Sequence, residues 1–226
     1  MAAGDGTVRA AVLGGQDGLV SNFSLVMGVA GASTNPDFVL LAGTAGLLAG
    51  AFSMAAGEYI SVRSQRDIYE SQIQAERTKL AESAGNEEQE LVRSYEKKGL
   101  APVAAAHVAH HLMSNPELAL DAIVRERLGL SPRNLGSPWN AAIVSFLAFC
   151  AGAIVPIIPY IVAKSGGATF AVSAGVSGGA LLVVGGSLAL FSGRNVAWGA
   201  LRMLLAGGAA AAVTYGVGRL IGVAIN

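Results

Sequence analysis

The sequence predicts an all-α membrane protein: five transmembrane helices, with a cytoplasmic helical domain inserted between the second and third. Three observations predict it. The 226 residues are 53% hydrophobic and only 13% charged, with 30 glycines, whereas ordinary soluble chains carry about a quarter charged residues. The charges are also segregated. Of the 30 Asp, Glu, Lys and Arg side chains, 21 fall between Ser61 and Pro138, so the chain reads apolar, charged, apolar. Finally, turn signals divide the apolar blocks into stretches of the roughly 20 residues that a helix needs to cross a hydrocarbon core.

The first stretch, about Ala10–Ala32, is the least apolar because it contains Gln16, Asp17 and Asn22. It is not preceded by a charged n-region, nor followed by a cleavage site, so it reads as a span and not a signal peptide. Ser33-Thr34-Asn35-Pro36-Asp37 is the turn into the second stretch, about Phe38–Ile60. The charged window follows. In it Ile68, Ile73, Leu80, Leu91, Leu100, Val103, Val108, Leu112, Leu118, Ile123 and Leu128 recur at mostly helical spacing among polar residues. Breaks at Ser83-Ala84-Gly85-Asn86, Gly99, Asn115-Pro116 and Gly129 predict a long helix continuing out of the second span, then about three shorter ones. Asn86, followed by Glu87, Glu88 and Gln89, has the pattern of a helix start.

Three further stretches complete the chain: about Trp139–Ala163, Thr169–Phe191 and Val196–Val223. They are separated by Lys164-Ser165-Gly166-Gly167 and Ser192-Gly193-Arg194-Asn195. The expected organisation is therefore spans 1 and 2 over 1–60, a helical domain over 61–138, and spans 3 to 5 over 139–226. Gly14/Gly18, Gly46/Gly50, Gly175/Gly179 and Gly218/Gly222 have GxxxG spacing. That spacing lets helix backbones approach closely, within one chain or between copies.

An odd number of spans puts the termini on opposite sides, and Lys and Arg mark the cytoplasmic one. Placing Arg9, the 10 bases of the charged window, Arg194 and Arg202 inside leaves only Lys164 and Arg219 outside. The expected orientation has the N-terminus and the charged window in the cytoplasm and the C-terminus outside.

Composition also excludes functions. With 15 bases and 15 acids the net charge is zero, which offers no basic surface for nucleic acid. A single cysteine, Cys150, rules out a disulfide framework or a CxxC motif. No Gly-rich phosphate loop, nucleophile elbow or convincing triad appears, so the chain does not read as an enzyme. No ExxH pair exists to build a di-iron carboxylate centre, which argues against a ferroxidase.

Ionisable residues inside a span are costly and are functional candidates by default. Asp17 lies in the first span, and Glu58 near the cytoplasmic end of the second. Met54 precedes Glu58 by four residues and shares its helix face. Two carboxylates and a thioether suit a soft-to-borderline divalent cation such as Fe²⁺ or Mn²⁺ better than Mg²⁺. The plainer reading is that Met54 packs and Glu58 reaches the interface to pair with Arg63. In the charged window, Glu87 and Glu90 are one turn apart and can share a cation, or can belong to a solvated face of ion pairs. His107, His110 and His111 are the histidines of the chain, with His107 and His111 at chelating i, i+4 spacing but without an HExxH glutamate. Cys150 reads as a packing residue.

Several of these segments together resemble the vacuolar iron transporter family. They are Gln16-Asp17-Gly18-Leu19-Val20, and Phe52-Ser53-Met54-Ala55-Ala56-Gly57-Glu58-Tyr59 running into Ser64-Gln65-Arg66-Asp67. The proline pair of Gly152-Ala153-Ile154-Val155-Pro156-Ile157-Ile158-Pro159-Tyr160 also agrees, as do Leu201-Arg202 and Thr214-Tyr215-Gly216. The resemblance covers almost the whole chain in order. It implies a homodimer of five-span protomers that moves Fe²⁺ out of the cytosol in exchange for protons, with no prosthetic group and with Mn²⁺, Co²⁺ and Zn²⁺ open as substrates. It also implies transport-path roles for Asp17 and Met54, beside Glu58, and a cytoplasmic metal site at Glu76, Glu87 and Glu90. The chain departs from the family pattern there. Lys79 stands at an expected glutamate, Ile123, Val124 and Arg127 stand where some members carry two methionines and a glutamate, and Glu126, one position away, is the substitute.

A competing reading is a membrane-bound metal sensor or buffer that binds metal on its cytoplasmic helices without passing it on. The intramembrane Asp17 argues against it, since a buffer has no need of an acid in a span. Ala/Gly-rich usage and the lack of a plant-type or fungal N-terminal extension point to a prokaryotic plasma membrane. A vacuolar membrane gives the same direction, out of the cytoplasm.

Overall fold

Helices carry nearly the whole chain in the computed structural model, which describes residues 3–132, 135–163 and 168–225. In order they are α1 (Ala3–Ala32), α2 (Pro36–Glu82), α3 (Ala84–Lys97), α4 (Pro102–Met113), α5 (Pro116–Leu128), α6 (Pro138–Ala153), α7 (Ile158–Val162), α8 (Thr169–Phe191) and α9 (Val196–Ile225). They fall into two units. An apolar one comprises Thr7–Tyr59 and Trp139–Asn226, and a charged one is built on Ile60–Pro138. The Lys164–Gly167 turn signal lies outside the described residues.

In the apolar unit, α2, α8 and α9 are long and apolar enough to cross a membrane. α1 has the length, but its polar residues dilute it. The third apolar stretch is not one helix: α6 ends at Ala153, residues 154–157 form turns, and α7 is a short separate helix. Its continuity from Trp139 to Ala163 is thus corrected, for a covalent reason. Pro156 and Pro159 each lack the N–H that an α-helix needs four residues after a carbonyl. The ladder slips to i→i−3 bonds, Val155 to Gly152 and Ile157 to Ile154. The carbonyls this frees are taken by other helices: Asn22 Nδ2 donates to Ala153 O at 2.6 Å, and Ser173 Oγ to Pro156 O at 2.7 Å.

α1 carries much of the core of this unit. Leu19, Phe23, Val26 and Met27 line one of its faces and pack with Val39, Ile157, Tyr160, Leu181, Met203 and Ala211. Small residues set the spacing. A Cβ on Gly18 would strike the backbone of Phe149, and one on Gly218 the backbone of Gly28. Two of the four GxxxG pairs, Gly14/Gly18 and Gly218/Gly222, meet backbone in this way, Gly46 and Gly50 lie against the side chains of Leu25, Asn22 and Phe149, and Gly175 and Gly179 face open space. Around the core, Phe38, Leu41, Phe52, Leu147, Val183 and Leu220 are exposed, an apolar exterior suited to lipid. Tyr59 and Trp139 meet as a tilted ring pair, centroids 4.9 Å apart, where α2 leaves this unit and α6 enters it, and such rings favour the membrane–water boundary.

The charged unit contains the rest of α2, which runs unbroken to Glu82, and the three shorter helices α3, α4 and α5. α3 starts at Ala84 with Ser83 as its N-cap, so the expected N-cap at Asn86 is three residues late. The Ser83 carbonyl accepts from the N–H groups of Asn86 and Glu87, which opens the first turn there. The other breaks have the anticipated chemistry. Asn115 caps α5 by accepting from the N–H groups of Glu117 and Leu118, and Gly129 ends that helix at φ +64°, where a side chain would be strained.

The packing face of α4 differs from the aliphatic stripe anticipated. Val103 is 82% exposed, while Ala105 and Ala109 are fully buried. α4 meets its neighbours through alanines, around Leu91, Ala109 and Ala122 with Val92, Tyr95 and Leu112. Alanine on a helix is a weak hydrophobic signal, but its size lets helices come close.

Candidate functional site

In the apolar unit the candidate acids sit in contrasting surroundings. α1 buries Ala10, Gly14, Gly18, Asn22 and Val26 on one side. At helical spacing on the other, Leu13, Asp17, Ser21 and Leu25 are exposed. Ser21 turns its hydroxyl back onto the Asp17 carbonyl at 2.6 Å, which satisfies that hydroxyl without using the carboxylate. Among the described residues nothing hydrogen-bonds or ion-pairs with the Asp17 carboxylate. It lies open on the exposed face of α1, beside Leu13 and Ser21.

Met54 and Glu58 both turn inward from α2, as their spacing requires. Met54 is half-buried against the cluster of Ala51, Phe149 and Ala153, on which Cys150 also packs, so Cys150 is here a packing residue. Glu58 is buried and pairs with Arg9 Nη2 at 3.4 Å. The plainer reading paired it with Arg63, but Arg63 reaches Asp67 at 3.0 Å instead. α1 therefore brings a base to Glu58 and presents an acid from its open face, and no hydrogen bond or ion pair joins Asp17 to Glu58 among the described residues.

In the charged unit, Glu76, Glu87 and Glu90 converge, and they converge on a cation of the chain itself. Arg127 extends from α5 so that Nη1 lies 2.5 Å from Glu76 Oε2. Its Nη2 lies 2.6 Å from Glu87 Oε2 and 2.5 Å from Glu90 Oε2. Lys79 takes the other Glu76 oxygen at 2.7 Å. Glu126 is drawn elsewhere, to Lys98 Nζ at 2.6 Å and Ser94 Oγ at 2.9 Å. Among the described residues no group of three or more His, Cys, Asp and Glu could hold a metal ion. The carboxylates are present, but a guanidinium stands at their centre.

The electrostatics follow this pairing. Burial opposes the charge of Arg127, but Glu87 and Glu76 outweigh it and hold its pKa above the usual value. Burial likewise works against Glu76 as a carboxylate, yet Lys79 and Arg127 hold it below the ordinary 4.5. Lys98 does the same for Glu126, against burial and with help from Ser94.

His107, His110 and His111 are all exposed on α4, and His110 Nδ1 lies 3.1 Å from Glu88. Sequence reading missed Arg9 as the partner of Glu58 and Asn22 as the donor to the broken helix. It noted Arg127 as a departure from a pattern. The signal for its role was available in the identity of the residue: a base one turn past the buried stretch of α5, opposite acids on two other helices.

A family model described as the VIT family matches residues 8–219. A vacuolar iron transporter of Acanthamoeba castellanii is 38% identical over 220 residues, covering 95% of this chain and 78% of the relative. A vacuolar iron transporter of Toxoplasma gondii is 34% identical, covering 95% and 74%. Vacuolar iron transporter 1 of Oryza sativa subsp. japonica is 30% identical, covering 95% and 85%.

Proposed function

This chain belongs to the VIT family, and on that premise we propose that it exports a divalent metal ion, Fe²⁺ with Mn²⁺ as second substrate, from the cytosol in exchange for protons. It is a multi-pass membrane transport protein and not an enzyme. The finer reading has five crossings, with the N-terminus and the charged unit cytoplasmic, the C-terminus outside, and a prokaryotic plasma membrane as the location.

One observation supports the mechanism most: the Asp17 carboxylate is open on an apolar helical unit. A charged aspartate at the centre of a lipid-facing helix costs about 2.5–3.5 kcal/mol even on the most lenient scale. The cost is avoided if a second copy covers the Asp17 face and the carboxylate borders a path between them, which is the homodimer we propose. A carboxylate there binds either a proton or a metal ion, and that competition is the physical basis of antiport. Met54 and Glu58 on α2 supply a soft donor and a second acid to the same path. The break between α6 and α7 provides the non-helical backbone that transport proteins tolerate where it is enclosed by protein.

The sensor or buffer reading is disfavoured by the charged unit. Its carboxylates at Glu76, Glu87, Glu90 and Glu126 are engaged by Arg127, Lys79 and Lys98, so we assign metal handling to Asp17, Met54 and Glu58. The experiment is metal uptake into proteoliposomes under an imposed pH gradient, with Fe²⁺ and Mn²⁺ in parallel. Accumulation that grows with the gradient supports transport. Stoichiometric binding without accumulation overturns it.

A further inference from the structure

We infer that the α6–α7 break is a water-binding seam within the apolar unit, where bound water bridges Asn22, Ser177 and Tyr160. The inference goes beyond the transport reading and does not depend on it, because the seam is defined by buried polar groups and not by a transported ion.

The break gathers polar groups from three parts of the chain. The carbonyls of Ala153 and Pro156 are released there, and they accept from Asn22 Nδ2 on α1 and Ser173 Oγ on α8. α8 contributes more than Ser173. Thr169, Ser173 and Ser177 recur every four residues and all three are buried, so this helix turns a hydroxyl-bearing face inward. A short connection joins α7 to α8, and helices so joined run antiparallel. Ser173 is level with Pro156 through their bond. Ser177, one turn on and about 6 Å along α8, therefore stands at the level of Ala153, where Asn22 arrives. Tyr160, one turn past Pro156 in the other direction, is the far end of the seam and is also buried.

A second observation points to a ligand. Asn22 Oδ1, Ser177 Oγ and Tyr160 Oη are buried, and among the described residues nothing hydrogen-bonds with them. The fourth such oxygen of the apolar unit, Ser145 Oγ, lies two turns before Ala153 on α6. Buried polar atoms are costly without partners, and native structures leave few of them so. Three beside one break in one helix mark a place where something else completes them.

Chemistry selects the ligand. Asn22 Oδ1 can only accept, Ser177 Oγ and Tyr160 Oη can donate or accept, and the two released carbonyls each keep a further lone pair. The occupant must both donate and accept in a small space. Water does so, and at buried sites it makes about three hydrogen bonds. None of these side chains is acidic, so a divalent metal ion would find no counter-charge among them. Non-helical backbone at membrane depth is tolerated where it is buried in protein or lines water, and the seam meets both conditions.

X-ray hydroxyl-radical footprinting of the full chain in detergent, read by mass spectrometry, tests the proposal, because radiolysis of a bound water oxidises the ring beside it. Tyr160 and Phe149 are 6% and 3% exposed, so radicals from bulk solvent reach both poorly. Tyr160 should nevertheless be oxidised at a rate close to that of the half-buried Tyr95, and Phe149 far more slowly. Tyr160→Phe, which keeps the ring and removes the hydroxyl, should bring the rate at that position down to that of Phe149. Stability gives an independent sign. Removing a dry, unpaired hydroxyl raises the melting temperature, whereas removing one that holds water lowers it, and Ser177→Ala should lower it. Either of two results overturns the proposal: Tyr160 oxidised no faster than Phe149, or a Ser177→Ala protein that melts at or above the temperature of the natural chain. Neither bears on whether the protein transports, which is read by flux.

Discussion

Asn22 Nδ2 donates a 2.6 Å hydrogen bond to the carbonyl oxygen of Ala153, the last residue of α6. A polar side chain buried in α1 thus completes a helix end that proline chemistry leaves open 131 residues later. The bond makes a defect in one helix a fixed contact with another.

Asn22→Ala should destabilise the apolar unit by about 1–3 kcal/mol, the cost of leaving a buried carbonyl without its donor. Thermal unfolding in detergent should show the loss. Asn22→Gln should recover little of it, because the extra methylene has no space beside Gly46, where even a Cβ would meet Asn22 Oδ1 at 2.9 Å.

The glycine pairs separate in the same assay. Gly18→Ala drives a Cβ into the backbone of Phe149 and should cost about 1–3 kcal/mol through overpacking. Gly179→Ala meets nothing, and should leave the melting temperature unchanged or raise it through helix propensity.

Acid should weaken the charged unit with a definite sign. Glu76 is held below the ordinary 4.5 in the folded chain, so between the folded and unfolded values the unfolded chain binds more protons. Its stabilisation is complete above the unfolded value and is lost as pH falls through the folded one. Melting followed by circular dichroism should be flat from neutral pH to about 5 and fall steeply below about 4. Glu76→Gln should remove part of that slope.

If Glu58 meets the transported cation as proposed, its ion-pair partner Arg9 competes with that cation. The pair is 3.4 Å apart and the Arg9 side chain is 55% exposed, so the interaction is modest, about 0.4–1 kcal/mol. Arg9→Gln should lower the KM for metal about two- to five-fold with little change in kcat, while Glu58→Gln should raise it.

How much of this was legible in the sequence depends on the kind of signal. Segregated charge located the two units, and Asn115, Pro116 and Gly129 marked the limits of α5, because caps and left-handed glycines act locally. The stacking face of α4 was not legible, since alanines pack by fitting and not by hydrophobicity. Neither was the partner of Glu58. Arg63 is close in sequence, but Arg9 is close in space, and only tertiary structure decides between them. The Glu76, Glu87 and Glu90 set could be listed from sequence, but that these acids converge on Arg127 depends on how three helices cross.

The central claim is that one carboxylate, Asp17, exchanges a proton for a metal ion. Simultaneous recording of Fe²⁺ uptake and lumenal pH in proteoliposomes, for the natural chain and for Asp17→Asn, tests it most directly. The account predicts that metal entry and proton exit rise and fall together in the natural chain, and that both vanish in a folded Asp17→Asn protein. Undiminished uptake in the variant, or metal entry with no proton movement in the natural chain, would contradict it.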